Sequence, residues 1–360
     1  MHLTSLSVEN LRCVAKAELG DLGKTVILSG RNGAGKTSLL EGAHLLGMGR
    51  SFRTRSTREV VRRGESFLRV VGRIQGAGVN QESSLIGIER CDGKNRVRVN
   101  GRDISRVSEL ARLLPLQVIR PESHELIAGG SEERRRILDW AVFHVEQEYA
   151  QAHARYRRAL AQRNRALRDD ADNRTISAWD HDLITAAGFV ELHRQTFLTA
   201  AKSHLESTIY RLVGVEIDVI YRAGWDTDQE LSAQLTERLV LDRQRGFTSI
   251  GPHRADIVFQ QTGRRARTIL SRGESKLLVL GVLLAFTVEI QTQTGIQPVV
   301  LVDDLASELD AFSRERFFRA LGEINGQAFI TTVDADLIPT HVQKEATKFH
   351  VEQGKITRVL

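Results

Sequence analysis

The sequence predicts an α/β protein in which a mainly helical lobe is inserted between two α/β halves. Three observations carry this expectation. Strand-type alternation fills the first third, the period turns helical after Ser131-Glu132-Glu133 and stays so to about residue 245, and strand patterns return from Gly251. The boundaries that follow are 1–128, 129–245 and 246–360.

The elements follow in order. Leu6 and Val8, then Val14, Ala17 and Leu19, recur at strand spacing, and Lys24 to Leu28 runs as a strand into a glycine-rich loop. A helix is expected over Thr37 to Leu46. Alternation resumes from Phe67 to Ile74, Ser84 to Glu89 and Arg96 to Val99, with Asp92-Gly93 and Asn100-Gly101 as tight hairpin turns. In the helical lobe Tyr149, Tyr156, Leu160 and Leu167 share one stripe, and Arg157, Arg158, Arg165 and Arg168 flank it. After Gly251 come a strand from Asp256 to Gln260, a buried helix from Lys276 to Ile290, and an apolar strand from Pro298 to Val302. The run Leu277 to Val288 falls short of the ~18 apolar residues that cross a bilayer.

Composition narrows the class. The chain has 360 residues, 41% hydrophobic and 27% charged, which suits a globular protein of two or three domains. Cys13 and Cys91 lie far apart without metal-ligand spacing, which argues against a disulfide framework or a structural zinc site. No basic stretch followed by an apolar one opens the chain, so a cytoplasmic protein is expected. The formal charge of +6 is concentrated. Residues 50–63 hold Arg50, Arg53, Arg55, Arg58, Arg62 and Arg63 against Glu59 alone, and residues 134–168 hold nine arginines against three acids.

The motifs supply chemistry. Gly30-Arg31-Asn32-Gly33-Ala34-Gly35-Lys36-Thr37 fits G-x-x-x-x-G-K-[ST] between a strand and a helix. Such a loop turns backbone N–H groups toward phosphates; Lys36 is expected at the β- and γ-phosphates of ATP, and the Thr37 hydroxyl on Mg²⁺. The strand into Asp303-Asp304 ends in two carboxylates: Asp303 is the expected second Mg²⁺ residue, and Asp304 the group that polarises the attacking water. Leu270-Ser271-Arg272-Gly273-Glu274 opens the buried helix and presents Ser271 and Gly273 as a second anion site, although the same five residues also read as a capping box. One γ-phosphate meets both anion sites only if they come from two copies, so an ATP-sandwiched homodimer is expected. Ala306-Ser307-Glu308-Leu309-Asp310 follows the paired aspartates and would run along that interface.

In this order the motifs resemble the ABC-type ATPase heads of chromosome maintenance, and within them the RecF family of bacterial recombination mediators. The likeness covers essentially the whole chain. It rests on Ser29 to Leu40, Gly49-Arg50-Ser51-Phe52-Arg53-Thr54, Arg136-Ile137-Leu138-Asp139-Trp140, Gly251-Pro252-His253-Arg254 with Asp256, and Leu270 to Lys276 ahead of Asp303-Asp304. The resemblance implies ATP-dependent dimerisation, DNA binding, weak DNA-stimulated ATP hydrolysis, and partnership with RecR and RecO in loading RecA at single-strand gaps. One departure stands out: the strand Ala328 to Thr332 lacks the switch histidine of ABC ATPases. Thr331 or Thr332 is left as a γ-phosphate contact or a plain strand end, and Gln117 or Glu122 as the lid residue.

Other readings stay open at this stage. A transporter motor leaves residues 50–63 unexplained, and an ATPase-nuclease needs a further acidic metal cluster. The arginines of 50–63 are expected on DNA, held through phosphates without sequence reading, yet arginine outnumbers lysine 42 to 9 throughout the chain. The arginine flank of the lobe helix is a solvated face or a partner surface. His253 is a structural residue or a coupling one.

Overall fold

A computed structural model of the chain describes residues 2–54, 56–76, 83–91 and 94–359. The expected Asp92-Gly93 turn and Arg55 lie outside them. Two compact units result: 1–123 with 290–360, and 124–289. The expected boundaries at 128/129 and 245/246 are not where the chain divides. Residues 246–289 belong with the helical unit, because a strand at 256–261 pairs with one at 218–222.

Strands are numbered along the chain. In the first unit β1 (His2–Leu11), β2 (Val14–Leu19), β4 (Phe67–Gln75), β5 (Ser83–Cys91), β6 (Lys94–Val99) and β7 (Arg102–Asp103) form an antiparallel sheet of order β2-β1-β4-β5-β6-β7. Its alternation is the sequence pattern made visible: Leu68, Val70, Ile86 and Ile88 turn inward while Arg69 and Leu85 face out. Asn100 and Gly101 both take left-handed backbone angles, as the expected turn requires.

The second sheet holds β3 (Thr25–Ser29), β8 (Leu116–Ile119), β12 (Val299–Val302), β13 (Ala328–Thr332), β14 (Ala346–Glu352) and β15 (Lys355–Val359) in the order β15-β14-β3-β13-β12-β8. Its central pairs are parallel. The fully buried runs Val26-Ile27-Leu28 and Val299 to Val302 are what a parallel sheet covered on both faces demands. The helix Lys36–Met48 is buried nearly all round, so even Glu41 and His44 lie inside. Removing one of its core leucines, such as Leu40, would cost about 2–5 kcal/mol.

The second unit is built on the helices Ser131–Val145, Tyr149–Arg168 and Asp180–Val213. Tyr149, Tyr156 and Leu167 are buried and Arg157, Arg158, Arg165 and Arg168 exposed, as the periodicity predicts. One stretch expected to be helical is not: Asp218–Arg222 is a strand, β9, in a sheet of order β11-β10-β9 with β10 (Asp256–Gln261) and β11 (Arg264–Arg265). Only alternate residues of β9 are partly covered, so its apolar signal is short and weak. The apolar helix reaches from Arg272 to Thr294, longer than its apolar run, and its length and composition would let it cross a membrane. Leu277 to Phe286 are nevertheless buried within the protein, with Phe286 edge-on to Phe197 at 5.1 Å.

Candidate functional site

The loop Gly30 to Thr37 leaves the end of β3 and enters the N-terminus of the helix Lys36–Met48. Gly30 has φ +151°, and a Cβ there would stand 2.2 Å from the Val351 carbonyl oxygen, so no other residue fits. Gly35 caps the helix at φ 117°. The loop is pinned from outside by Gly30 N–H donating to Thr332 O (3.2 Å) and Gly354 N–H donating to Ala34 O (2.8 Å). Lys36, 3% exposed, folds into the loop: its ammonium donates to the carbonyls of Gly30 (2.8 Å) and Arg31 (3.2 Å) and stands 3.7 Å from Asp304.

The carboxylates arrive from β12, two strands away from β3 in the same sheet. Asp303 Oδ1 accepts hydrogen bonds from Thr37 Oγ1 (2.9 Å) and Thr331 Oγ1 (2.8 Å). Burial pushes the Asp303 carboxyl above its ordinary range, and these two hydroxyls oppose that rise. Asp304 sits in a left-handed conformation, φ 44°. Its N–H donates to Thr331 Oγ1 (2.8 Å), while its buried Oδ1 has no hydrogen-bond partner.

These residues fit Mg²⁺ and a nucleoside triphosphate. Thr37 Oγ1 and Asp303 Oδ1 lie 2.9 Å apart, the separation of adjacent corners in an octahedron with bonds of about 2.1 Å. The orphaned Asp304 oxygen points to a missing polar partner, as a water or ligand would supply.

Thr331 and Thr332, left as γ-phosphate contacts or plain strand ends, both hydrogen-bond within the protein. Both are buried; Thr331 struts the two aspartates, and Thr332 Oγ1 donates to Asp334 O at 2.7 Å. Gln117 is buried on β8 with its amide on the Val118 carbonyl (3.1 Å), whereas Glu122 is exposed beside Arg120. Among the described residues neither hydrogen-bonds to the loop.

Ser271 and Gly273 belong to the other unit and are exposed. Ser271 Oγ accepts from Glu274 N–H (3.2 Å), and Ser271 N–H donates to Glu274 Oε2 (2.8 Å): the capping box is formed. Gly251-Pro252-His253-Arg254 and Arg134 to Asp139 converge in this same unit. Arg134 pairs with Asp256 (2.7 Å), and Arg194 binds both Asp139 and the Pro252 carbonyl. His253 lies between Tyr156 OH (2.6 Å) and Thr248 O (2.9 Å). Burial pushes its pKa down to about 4, which favours a neutral imidazole between these two partners.

Of the basic segment, Arg50, Arg53, Arg58 and Arg63 are exposed and Arg62 half-buried; Arg55 lies outside the described residues. Its anchor is Glu41, which the sequence reading missed. This buried carboxylate accepts from Arg12 Nε (3.0 Å), Arg12 Nη2 (2.9 Å) and Ser51 Oγ, and Arg53 stands 4.0 Å away. Ser51 Oγ in turn accepts from the N–H groups of Arg53 and Thr54. A lone acid within the apolar run Ser38 to Leu46 was the available signal.

Known proteins agree with this architecture. Residues 2–357 match the family described as RecF/RecN/SMC N terminal domain. An SMC head bound to the C-winged helix domain of ScpA superposes with TM-score 0.60 at 15% identity, over all of this chain and 98% of that one. Fold and loop together therefore define a P-loop head of the SMC kind. Two relatives named DNA replication and repair protein RecF, from Thioalkalivibrio sulfidiphilus and Pseudomonas aeruginosa, are each 38% identical, covering 99% of this chain and 99% and 98% of theirs. A solved structure of the recombination mediator protein RecF with ATPrS has TM-score 0.88 at 24% identity, covering 100% of this chain and 98% of that one. The chain belongs to the RecF family.

Proposed function

We propose that this protein is an ATP-dependent DNA-binding protein of recombinational repair and replication restart, acting as a switch with slow, DNA-stimulated ATP hydrolysis. The observation that carries the reading is the cluster Lys36, Thr37, Asp303 and Asp304 in a chain of this family. Gly30, Arg31, Asn32, Gly33, Ala34 and Gly35 wrap the phosphates, Lys36 moves from its loop carbonyls to phosphate oxygens, and Thr37 and Asp303 hold Mg²⁺. Bound Mg²⁺ would neutralise charge on the phosphates and orient them. Asp304 orients the attacking water through its free oxygen.

The dimer is part of the proposal. Ser271 and Gly273 of one protomer supply a hydroxyl and helix N-terminal N–H groups to the phosphate held by its partner, so closure requires ATP. Arg50, Arg53, Arg55, Arg58, Arg62 and Arg63 then grip single- or double-stranded DNA and gapped junctions through the backbone. RecR and RecO are the proposed partners, RecA the indirect beneficiary, and the cytoplasm the compartment. Fluorescence anisotropy on gapped DNA tests this: ATP with Mg²⁺ is expected to tighten binding, and Lys36→Ala to remove the ATP effect. Equal binding with and without ATP would contradict the switch.

A further inference from the structure

The hairpin ahead of Ser271 carries a feature that no motif announces. Arg264, Arg265, Arg267 and Arg272 are all exposed, and none makes an ion pair among the described residues. Some exposed arginines elsewhere do find carboxylates: Arg96 and Arg98 share Asp103 at 2.9 and 3.0 Å, and Arg319 meets Glu315 at 2.8 Å. From Thr262 to Arg272 there is no Asp or Glu, and the next acid, Glu274, is turned onto Ser271 N–H.

The local structure fixes these cations rather than letting them drift. β10 and β11 pair with Gln260 opposite Arg265 and Gln261 opposite Arg264, across a two-residue turn in which Thr262 (φ 49°) and Gly263 (φ 77°) are both left-handed. A single turn of 3-10 helix, Ala266–Thr268, then carries Arg267. Arg265 and Arg267 line one small recess with Ile127, Ile257 and Phe259. The carboxylate in that recess, Asp256, already binds Arg134 through both its oxygens, and Arg134 gives its remaining amino group to the carbonyls of Leu126 and Gly129. Several unneutralised guanidinium groups on a rigid hairpin repel one another and lose that repulsion when an anion docks.

We infer that the β10–β11 hairpin is a second nucleic-acid contact, binding the phosphodiester backbone through Arg264, Arg265 and Arg267, separate from the 50–63 segment. Phosphodiester suits the fork geometry of arginine, and a row of cations without base-reading partners binds without sequence preference. The inference rests on the DNA-binding reading above. Arg272 adjoins the residues assigned to nucleotide and is left untouched in the test.

The experiment compares four full-length proteins on a labelled duplex and its single strand, with ATP and Mg²⁺, between about 50 and 200 mM salt. They are wild type, Arg50→Gln/Arg58→Gln/Arg63→Gln, Arg264→Gln/Arg265→Gln/Arg267→Gln, and the same hairpin positions changed to Lys. The hairpin Gln variant is expected to bind duplex roughly 10-fold more weakly, with a salt slope shallower by about 2 to 3, since each phosphate contact contributes about 0.9. The Lys variant should regain the slope, because counterion release counts charges. A hairpin Gln variant with wild-type affinity and slope would overturn this inference while leaving the DNA reading intact. Absence of binding by wild type would instead defeat the underlying DNA reading. A Lys variant as shallow as the Gln variant would also overturn the hairpin contact.

Discussion

Asp304 holds a backbone conformation that costs a non-glycine residue about 1–3 kcal/mol, and its N–H is bound by the Thr331 hydroxyl. The Thr331 hydroxyl donates to Asp303 and accepts from Asp304 N–H, so one side chain aligns both carboxylates. Thr331→Val keeps the shape and removes both bonds. It is expected to leave ATP binding within a few-fold and to lower hydrolysis at least ~10-fold, consistent with about 1–3 kcal/mol for unsatisfied buried groups. Paired nucleotide titrations and steady-state ATPase assays check this; unchanged hydrolysis would reduce Thr331 to packing. The convergence of Lys36 and Thr37 with Asp303 and Asp304 is legible in the sequence because the loop motif and the strand end fix them locally. The strut is not: a threonine at a strand end carries no mark of which way its hydroxyl turns, and only the neighbouring β12 decides it.

At the scale of elements, the basic segment depends on the helix that precedes it. Glu41 is fully buried and ties Arg12 and Ser51 together, which sets the course of the chain from Gly49 to Thr54. Glu41→Ala strands Arg12 without its carboxylate and should cost about 3–5 kcal/mol. A lower thermal midpoint together with weaker DNA binding is the expected outcome, whereas normal DNA affinity in the folded variant would uncouple the segment from Glu41. The apolar strands and the amphipathic Tyr149–Arg168 helix were readable from period alone. β9 was not, since its residues are only half covered and its stability comes from pairing with β10, which lies far along the chain. The arginine count also misled in part. Much of the charge in 134–168 is internally neutralised: Arg163 is buried against Asp180 and Asp242, and Arg134 against Asp256.

Across the whole molecule, each unit carries a histidine whose pKa is lowered, His44 buried and His253 half-buried. Burial pushes His44 in the first and His253 in the second down to about 4. Unfolded histidine takes its proton near 6.5, so the unfolded state binds protons first as pH falls, and stability declines from about pH 6.5 toward 4. At about pH 5 each histidine should cost about 2 kcal/mol. Urea unfolding at about pH 7.5 and pH 5 should therefore show a smaller pH-dependent loss for His253→Gln than for wild type; equal losses would contradict the assignment.

Residues 30–37 and the pair Ser271 and Gly273 lie in different units of one chain, and the proposed ATP sandwich joins them only between copies. Sedimentation velocity of wild type and Ser271→Arg, with and without ATP and Mg²⁺, tests that claim most directly. The wild type is expected to form a dimer only with ATP, and the Ser271→Arg protein to bind ATP normally but stay monomeric. A Ser271→Arg protein that dimerises with ATP as wild type does would contradict it.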